Sequence, residues 1–160
     1  MKEWTDFFIA MGGAAATLTG LIFVGISINL NRIISLPKLP SRASQALILL
    51  VTVLVICALC LVPNQTACII GCEFLFIGIF IWVISFKLDL KIWHQTDKQY
   101  KYKFLLNALL TQLSVLPYIL SGIVLLCCGY VGLYWLIPGI IFSFIKAVLD
   151  GWVLLVEINR

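Results

Sequence analysis

Charge is what this chain has little of. Asp, Glu, Lys and Arg make up 11% of its 160 residues, against about 25% in soluble domains. Histidine is reduced to His94, so no Ser/His/Asp set, no HExxH helix and no pair of His ligands can be assembled. No glycine-rich phosphate loop occurs. Long polar stretches are also missing, which leaves no room for a soluble catalytic domain. No metal and no cofactor is therefore expected. The net charge of +4 does not gather into a basic patch, so a nucleic-acid partner is not expected either.

Apolar residues fill the space: 62% of the chain is hydrophobic and the mean hydropathy is +1.12. Five stretches are long enough to cross about 30 Å of hydrocarbon as helix: residues 7–30, 43–62, 67–86, 104–128 and 133–156. The composition predicts an all-α integral membrane protein with five transmembrane helices, folded as a single domain over residues 1–160, with the lipid bilayer as its first partner.

The cations sort by loop. Arg32, Lys38 and Arg42 lie in the first, and Lys87, Lys91, Lys98, Lys101 and Lys103 in the third, while Pro63-Asn64-Gln65-Thr66 and residues 129–132 carry none. The positive-inside rule then puts the N-terminus outside and the C-terminus in the cytoplasm. Glu3 and Asp6 outweigh Lys2, and few apolar residues precede the small run from Gly12, so the first span reads as uncleaved rather than as a signal peptide. Trp4, Tyr130, Tyr134 and Trp135 fall at the outer border, and Trp93, Tyr100, Tyr102 and Trp152 at the inner one.

Gly12, Ala16 and Gly20 stand at four-residue intervals in span one, a small-residue face that favours helix packing within the chain or in a homo-oligomer. Spans two and three form a hairpin that is nearly all apolar and is expected to face lipid, with Ser41 and Ser44 placed to cap span two. The sequon Asn64-Gln65-Thr66 sits too close to the membrane to serve as a glycan acceptor. Residues 87–103 mix five lysines with Leu88, Leu90, Ile92 and Trp93, which predicts a cytoplasmic amphipathic segment on anionic lipid, or a dock for a protein partner.

A polar seam is the strongest functional feature. Asn107, Thr111, Ser114, Tyr118 and Ser121 recur at spacings of one helical face, as do Gly139, Ser143, Lys146 and Asp150. Charges near the bilayer centre cost about 2.5–3.5 kcal/mol on insertion scales, so they are kept where they face protein or water. Span one offers a milder stripe through Thr17, Ser27 and Asn31, and Pro117 should kink span four beside the site. The expectation is that spans one, four and five enclose a path in which Lys146 and Asp150 form a charged constriction lined by Ser143, Ser114, Thr111, Asn107 and Tyr118. The plainer alternative is an internal ion pair with polar stripes as helix glue. Glu73 is a second intramembrane carboxyl and a candidate proton relay.

Six cysteines lie toward the outer side, among them the CxxC of Cys57 and Cys60. This spacing is superficially similar to that of disulfide-generating quinone reductases of bacterial membranes, and it keeps a thiol oxidoreductase as an enzyme alternative. Structural packing is the plainer reading, since no cation stands nearby to lower a thiol pKa.

The stretch Trp4-Thr5-Asp6-Phe7-Phe8, followed by residues 14–24 (AAATLTGLIFV) and Ser27-Ile28-Asn29-Leu30, resembles small multi-span bacterial inner-membrane proteins of uncharacterised function, over span one to about Leu50. The resemblance implies a bacterial inner (plasma) membrane and carries no catalytic motif. The function expected is a channel or transporter for an ion, proton or small solute, in a homo-oligomer. A non-catalytic membrane subunit that binds a partner protein is the alternative.

Overall fold

A computed structural model describes residues 4–36, 39–94 and 101–158. Among these residues every regular element is helical: α1 (Thr5–Ile28), α2 (Leu30–Ser35), α3 (Leu39–Cys60), α4 (Ala67–His94), α5 (Lys101–Cys128), a 3-10 segment (Gly129–Trp135) and α6 (Leu136–Ile158). Four helical stretches are long and apolar enough to cross a membrane, Thr5–Ile28, Leu39–Cys60, Ala67–Trp93 and Leu105–Leu154. The last is 50 residues, about 75 Å at 1.5 Å per residue. That is too long for one crossing, and the 3-10 segment folds it back so that α5 and α6 pack on each other.

The reversals are made by local chemistry. Gly129 follows α5 with φ of 68°, the left-handed conformation that ends helices and suits glycine, and Asn64 takes φ of 60° between α3 and α4. Pro40 and Pro138 sit in the first turns of α3 and α6, where a missing N–H is cheap. Helix α5 continues through Pro117. Ser41 and Ser44 do not cap, because α3 starts before both of them, and the Ser44 hydroxyl donates back to the Pro40 carbonyl instead (2.9 Å).

Helix α4 pairs with α5, α5 with α6, α6 with α3 and α3 with α4, which closes a four-helix ring. The expected enclosure by spans one, four and five is thereby corrected: α1 lies outside the ring against α3 and touches α6 only lightly. Span two, expected to face lipid, is α3, which presents Ala43, Gln45, Ala46, Leu49, Leu50, Thr52, Val53 and Ile56 as buried residues. Hydropathy misled here because lipid tails and a protein core are equally apolar.

Among the long helices the backbones approach closely between α4 and α5. A Cβ on Gly122 would lie 2.9 Å from the Leu75 nitrogen and 3.0 Å from the Gly71 carbonyl oxygen. The expected amphipathic segment at 87–103 is also revised. Helix α4 runs without a break past Lys87 to His94 and keeps Ser85, Asp89 and Ile92 buried at one helical spacing. Residues 95–100, including Lys98 and Tyr100, lie outside the described residues.

Away from the loops that carry the cations, an apolar cluster fills the ring and extends to α1. Phe8, Ile56, Ile70, Phe74, Leu125, Leu133, Leu136 and Ile140 are all buried there in one cluster.

Candidate functional site

Helix α6 buries its polar stripe. Gly139, Ser143, Lys146 and Asp150 all face inward, and the Lys146 Nζ donates to Asp150 Oδ2 one turn along the same helix. Lys146 is 0% exposed and Asp150 1%. Two such charges persist away from water only when paired and hydrogen-bonded. The lysine comes first, the weaker order for a helical pair, so burial rather than helix electrostatics holds the contact.

Helix α3 brings the opposite wall. Ala46 and Leu50 pack on Ala147, the residue after Lys146. Beside Ala46, Gln45 donates from Nε2 to Asp89 Oδ1 of α4 at 2.6 Å, both side chains buried. Asp89 lies within electrostatic reach of Lys146 and Asp150, and Arg42, half-buried near the start of α3, reaches both members of the α6 pair. Thus one cation pair, Arg42 and Lys146, and one carboxyl pair, Asp89 and Asp150, are gathered from three helices.

Helix α5 supplies hydroxyls. Thr111, Ser114, Tyr118 and Ser121 are all fully buried on one face. Thr111 and Ser114 donate back along their own helix, to Asn107 O (3.1 Å) and Leu110 O (2.8 Å). Tyr118 reaches across, with its hydroxyl 2.7 Å from Ser143 Oγ, while Gly139 leaves room for the Tyr118 ring. Ser121 Oγ donates to Gly132 O at 2.8 Å. Asn107 is half-buried, and its Nδ2 has no hydrogen-bond partner among the described residues.

The remaining candidates lie apart from this cluster. Glu73 is half-buried toward the 3-10 segment and accepts long contacts from Gln65 Nε2 (3.5 and 3.4 Å), while the Gln65 carbonyl accepts from Tyr130 (3.0 Å). On α1, a Cβ at Gly12 would meet Cys57 Cβ at 3.3 Å, whereas Ala16 and Gly20 are exposed. All six cysteines are free thiols. Cys57 and Cys60 are buried in the apolar layer, and Cys68, Cys72, Cys127 and Cys128 are exposed. Among the described residues no group of three or more His, Cys, Asp or Glu is placed to hold a metal ion.

Sequence reasoning missed Arg42, Gln45 and Asp89. A signal for two of them was present: Ser41, Gln45 and Thr52 are polar at helical spacing in an otherwise apolar run, and Asp89 follows Ser85 by one turn. No protein-family model, curated protein or solved structure matches this chain.

Proposed function

We propose that this is a five-span protein of a bacterial inner membrane, with the N-terminus outside and the C-terminus cytoplasmic, that carries a proton, ion or small solute past the Lys146–Asp150 pair. The single observation behind this reading is the burial of two opposite charges, with Asp89, Gln45 and Arg42 around them, inside a ring of four helices. Packing alone does not require them, since apolar residues of the same volume fill such positions at equal or lower cost. The cations on the first and third loops support the orientation and put the charged cluster toward the cytoplasmic side.

The polar groups do not run the full length of the ring. From Asp89 they pass by Gln45, Lys146 and Ser143 to Tyr118, and one turn further Ser121 spends its hydroxyl on Gly132 O beside the apolar cluster of the outer side. A charged cluster enclosed within the ring, with apolar packing on its outer side, fits a gated carrier better than an open pore. Self-association through the exposed small residues of α1 is part of the proposal.

Reconstitution in liposomes tests it. With a pH-sensitive dye inside, and sodium or potassium gradients as separate arms, wild-type flux should fall at least about tenfold in Lys146→Ala and Asp150→Asn proteins that insert normally. Flux unaffected by either change rejects the site. Recovery of one stoichiometric protein partner with no intrinsic flux would favour the membrane-subunit alternative instead.

A further inference from the structure

We infer that Asp89 and Gln45 form a proton-binding site at the mouth of the ring, in which the Asp89 carboxyl takes up and releases a proton and Gln45 holds the protonated form. The inference rests on the transport reading only for the use to which the proton is put.

The two side chains come from different helices and are 5% and 1% exposed. One leg of their contact is made, from Gln45 Nε2 to Asp89 Oδ1 at 2.6 Å. The other two atoms, Gln45 Oε1 and Asp89 Oδ2, are buried and have no hydrogen-bond partner among the described residues. An ionised carboxylate only accepts, and an amide oxygen only accepts. Each buried acceptor left open costs about 1–3 kcal/mol. A proton on Oδ2 converts one of the two into a donor. Carboxyl and carboxamide are planar forks of nearly equal bite, so Oδ2–H donating to Oε1 completes a two-bond ring with the leg already present. A single proton satisfies both atoms.

Access comes from the side. Asp89 lines a groove of about 420 Å³ between α4 and α5, walled by Trp82, Phe86, Trp93, Leu105 and Gln112. The proton comes from bulk water by way of this groove, bonds to Oδ2 and leaves by the same route on release. The groups facing Asp89 can be named for each neighbouring helix. From α3 comes Gln45, with Arg42 further along; from α6 come Lys146 and Asp150, whose opposite signs oppose each other at Asp89. From α5 come Leu105, Ala108, Leu109 and Gln112, and the Gln112 oxygen is already taken by Trp82 Nε1 at 2.7 Å. Lys87 and Lys91, on α4 itself, are exposed. A hard metal cation fits poorly beside Lys146, because it needs about six or more oxygen ligands where one carboxyl and one amide are offered.

Infrared difference spectroscopy of the full chain in lipid nanodiscs tests this, with isotope-labelled aspartate carboxyls. The chain holds Asp6, Asp89, Asp97 and Asp150, so Asp89→Asn makes the assignment. Between about pH 5 and pH 9, where buried carboxyls titrate, a neutral-carboxyl band should be present on the acid side and lost on the alkaline side. It should be absent in Asp89→Asn. In Gln45→Leu, which keeps Asp89, the band should move to higher frequency because its hydrogen-bonded partner is gone. A band that survives Asp89→Asn unchanged, or that Gln45→Leu leaves unmoved, overturns the inference. So does a band that shifts with added sodium, potassium or magnesium chloride at fixed pH, which would make the occupant a metal cation. No flux enters this measurement: a titrating Asp89 in a protein whose flux ignores Lys146→Ala would sink the transport reading and leave this one standing.

Discussion

Helices α1 and α3 have similar lengths, 24 and 22 residues, and both are apolar enough to span, yet they occupy opposite places. The most apolar stretch of α3 has the higher mean hydropathy, 2.6 against 2.0, and 56% of it is buried against 11% for α1. Hydropathy does not explain this, since a Leu gains little by leaving lipid for protein. Two features of α3 do. It carries Gln45 and Arg42 toward the charges of α4 and α6, and it offers Ala43 and Ala46 where other helices come close. Thr17 and Thr19 of α1, and Asn29 just past its end, instead bond back to the carbonyls of Gly13, Ala15 and Gly25 on the same helix. In a bilayer a helix is drawn inward by the polar groups it has left over for its neighbours.

If the charged cluster holds α3 at the centre, the largest effect comes from breaking it. Lys146→Met leaves Asp150 buried without the cation of its own helix, which should cost about 3–5 kcal/mol of stability in detergent unfolding. Cys57 and Cys60, buried on α3, should then react faster with a thiol reagent, while the four exposed cysteines keep their rates. The double variant Lys146→Met/Asp150→Leu should recover most of the loss. Full stability in the single variant would mean that α3 is held by packing alone.

A matched pair of substitutions sharpens the comparison. Ala46 on α3 is 0% exposed and packs with Leu50 and Ala147, so Ala46→Leu forces a larger side chain into a filled space. It should destabilise by about 1–3 kcal/mol, read from the same unfolding midpoint. A neutral result would show that the α3–α6 contact is loose enough to repack.

Much of this contrast was hidden in the sequence, for physical reasons. The helical class followed from length and hydropathy, and the inward stripe of Ser143, Lys146 and Asp150 followed from spacing, because a charge has only one tolerable direction in hydrocarbon. The place of α3 did not follow, since a lone Gln45 in an apolar run names no partner until Asp89 is brought to it. Asp89 was passed over for a related reason. The lysines around it, Lys87 and Lys91, read as the end of a span, but a helix does not end because its surroundings become polar. Nor did the glycines of span one predict where the long helices meet closely. That place is Gly71 and Gly122, one on each of the two neighbouring helices α4 and α5, and a pattern within one span cannot show it.

The smallest effects belong to α1. Ala16 and Gly20 are exposed, and a Cβ added at Gly20 would meet nothing within 4 Å. Ala16→Leu and Gly20→Leu should therefore change the unfolding midpoint of the isolated chain by no more than about 0.5 kcal/mol, in contrast to Ala46→Leu. The informative measurement is mass in detergent by light scattering. Small residues on an outward face cost a helix nothing against lipid, but they allow a second backbone to approach, and a Leu at either position would hold it off. If the wild-type protein is an assembly held through α1, both variants should shift it to monomer with folding intact; an unchanged assembly would place the seam elsewhere, and the small-residue face of α1 would meet only lipid.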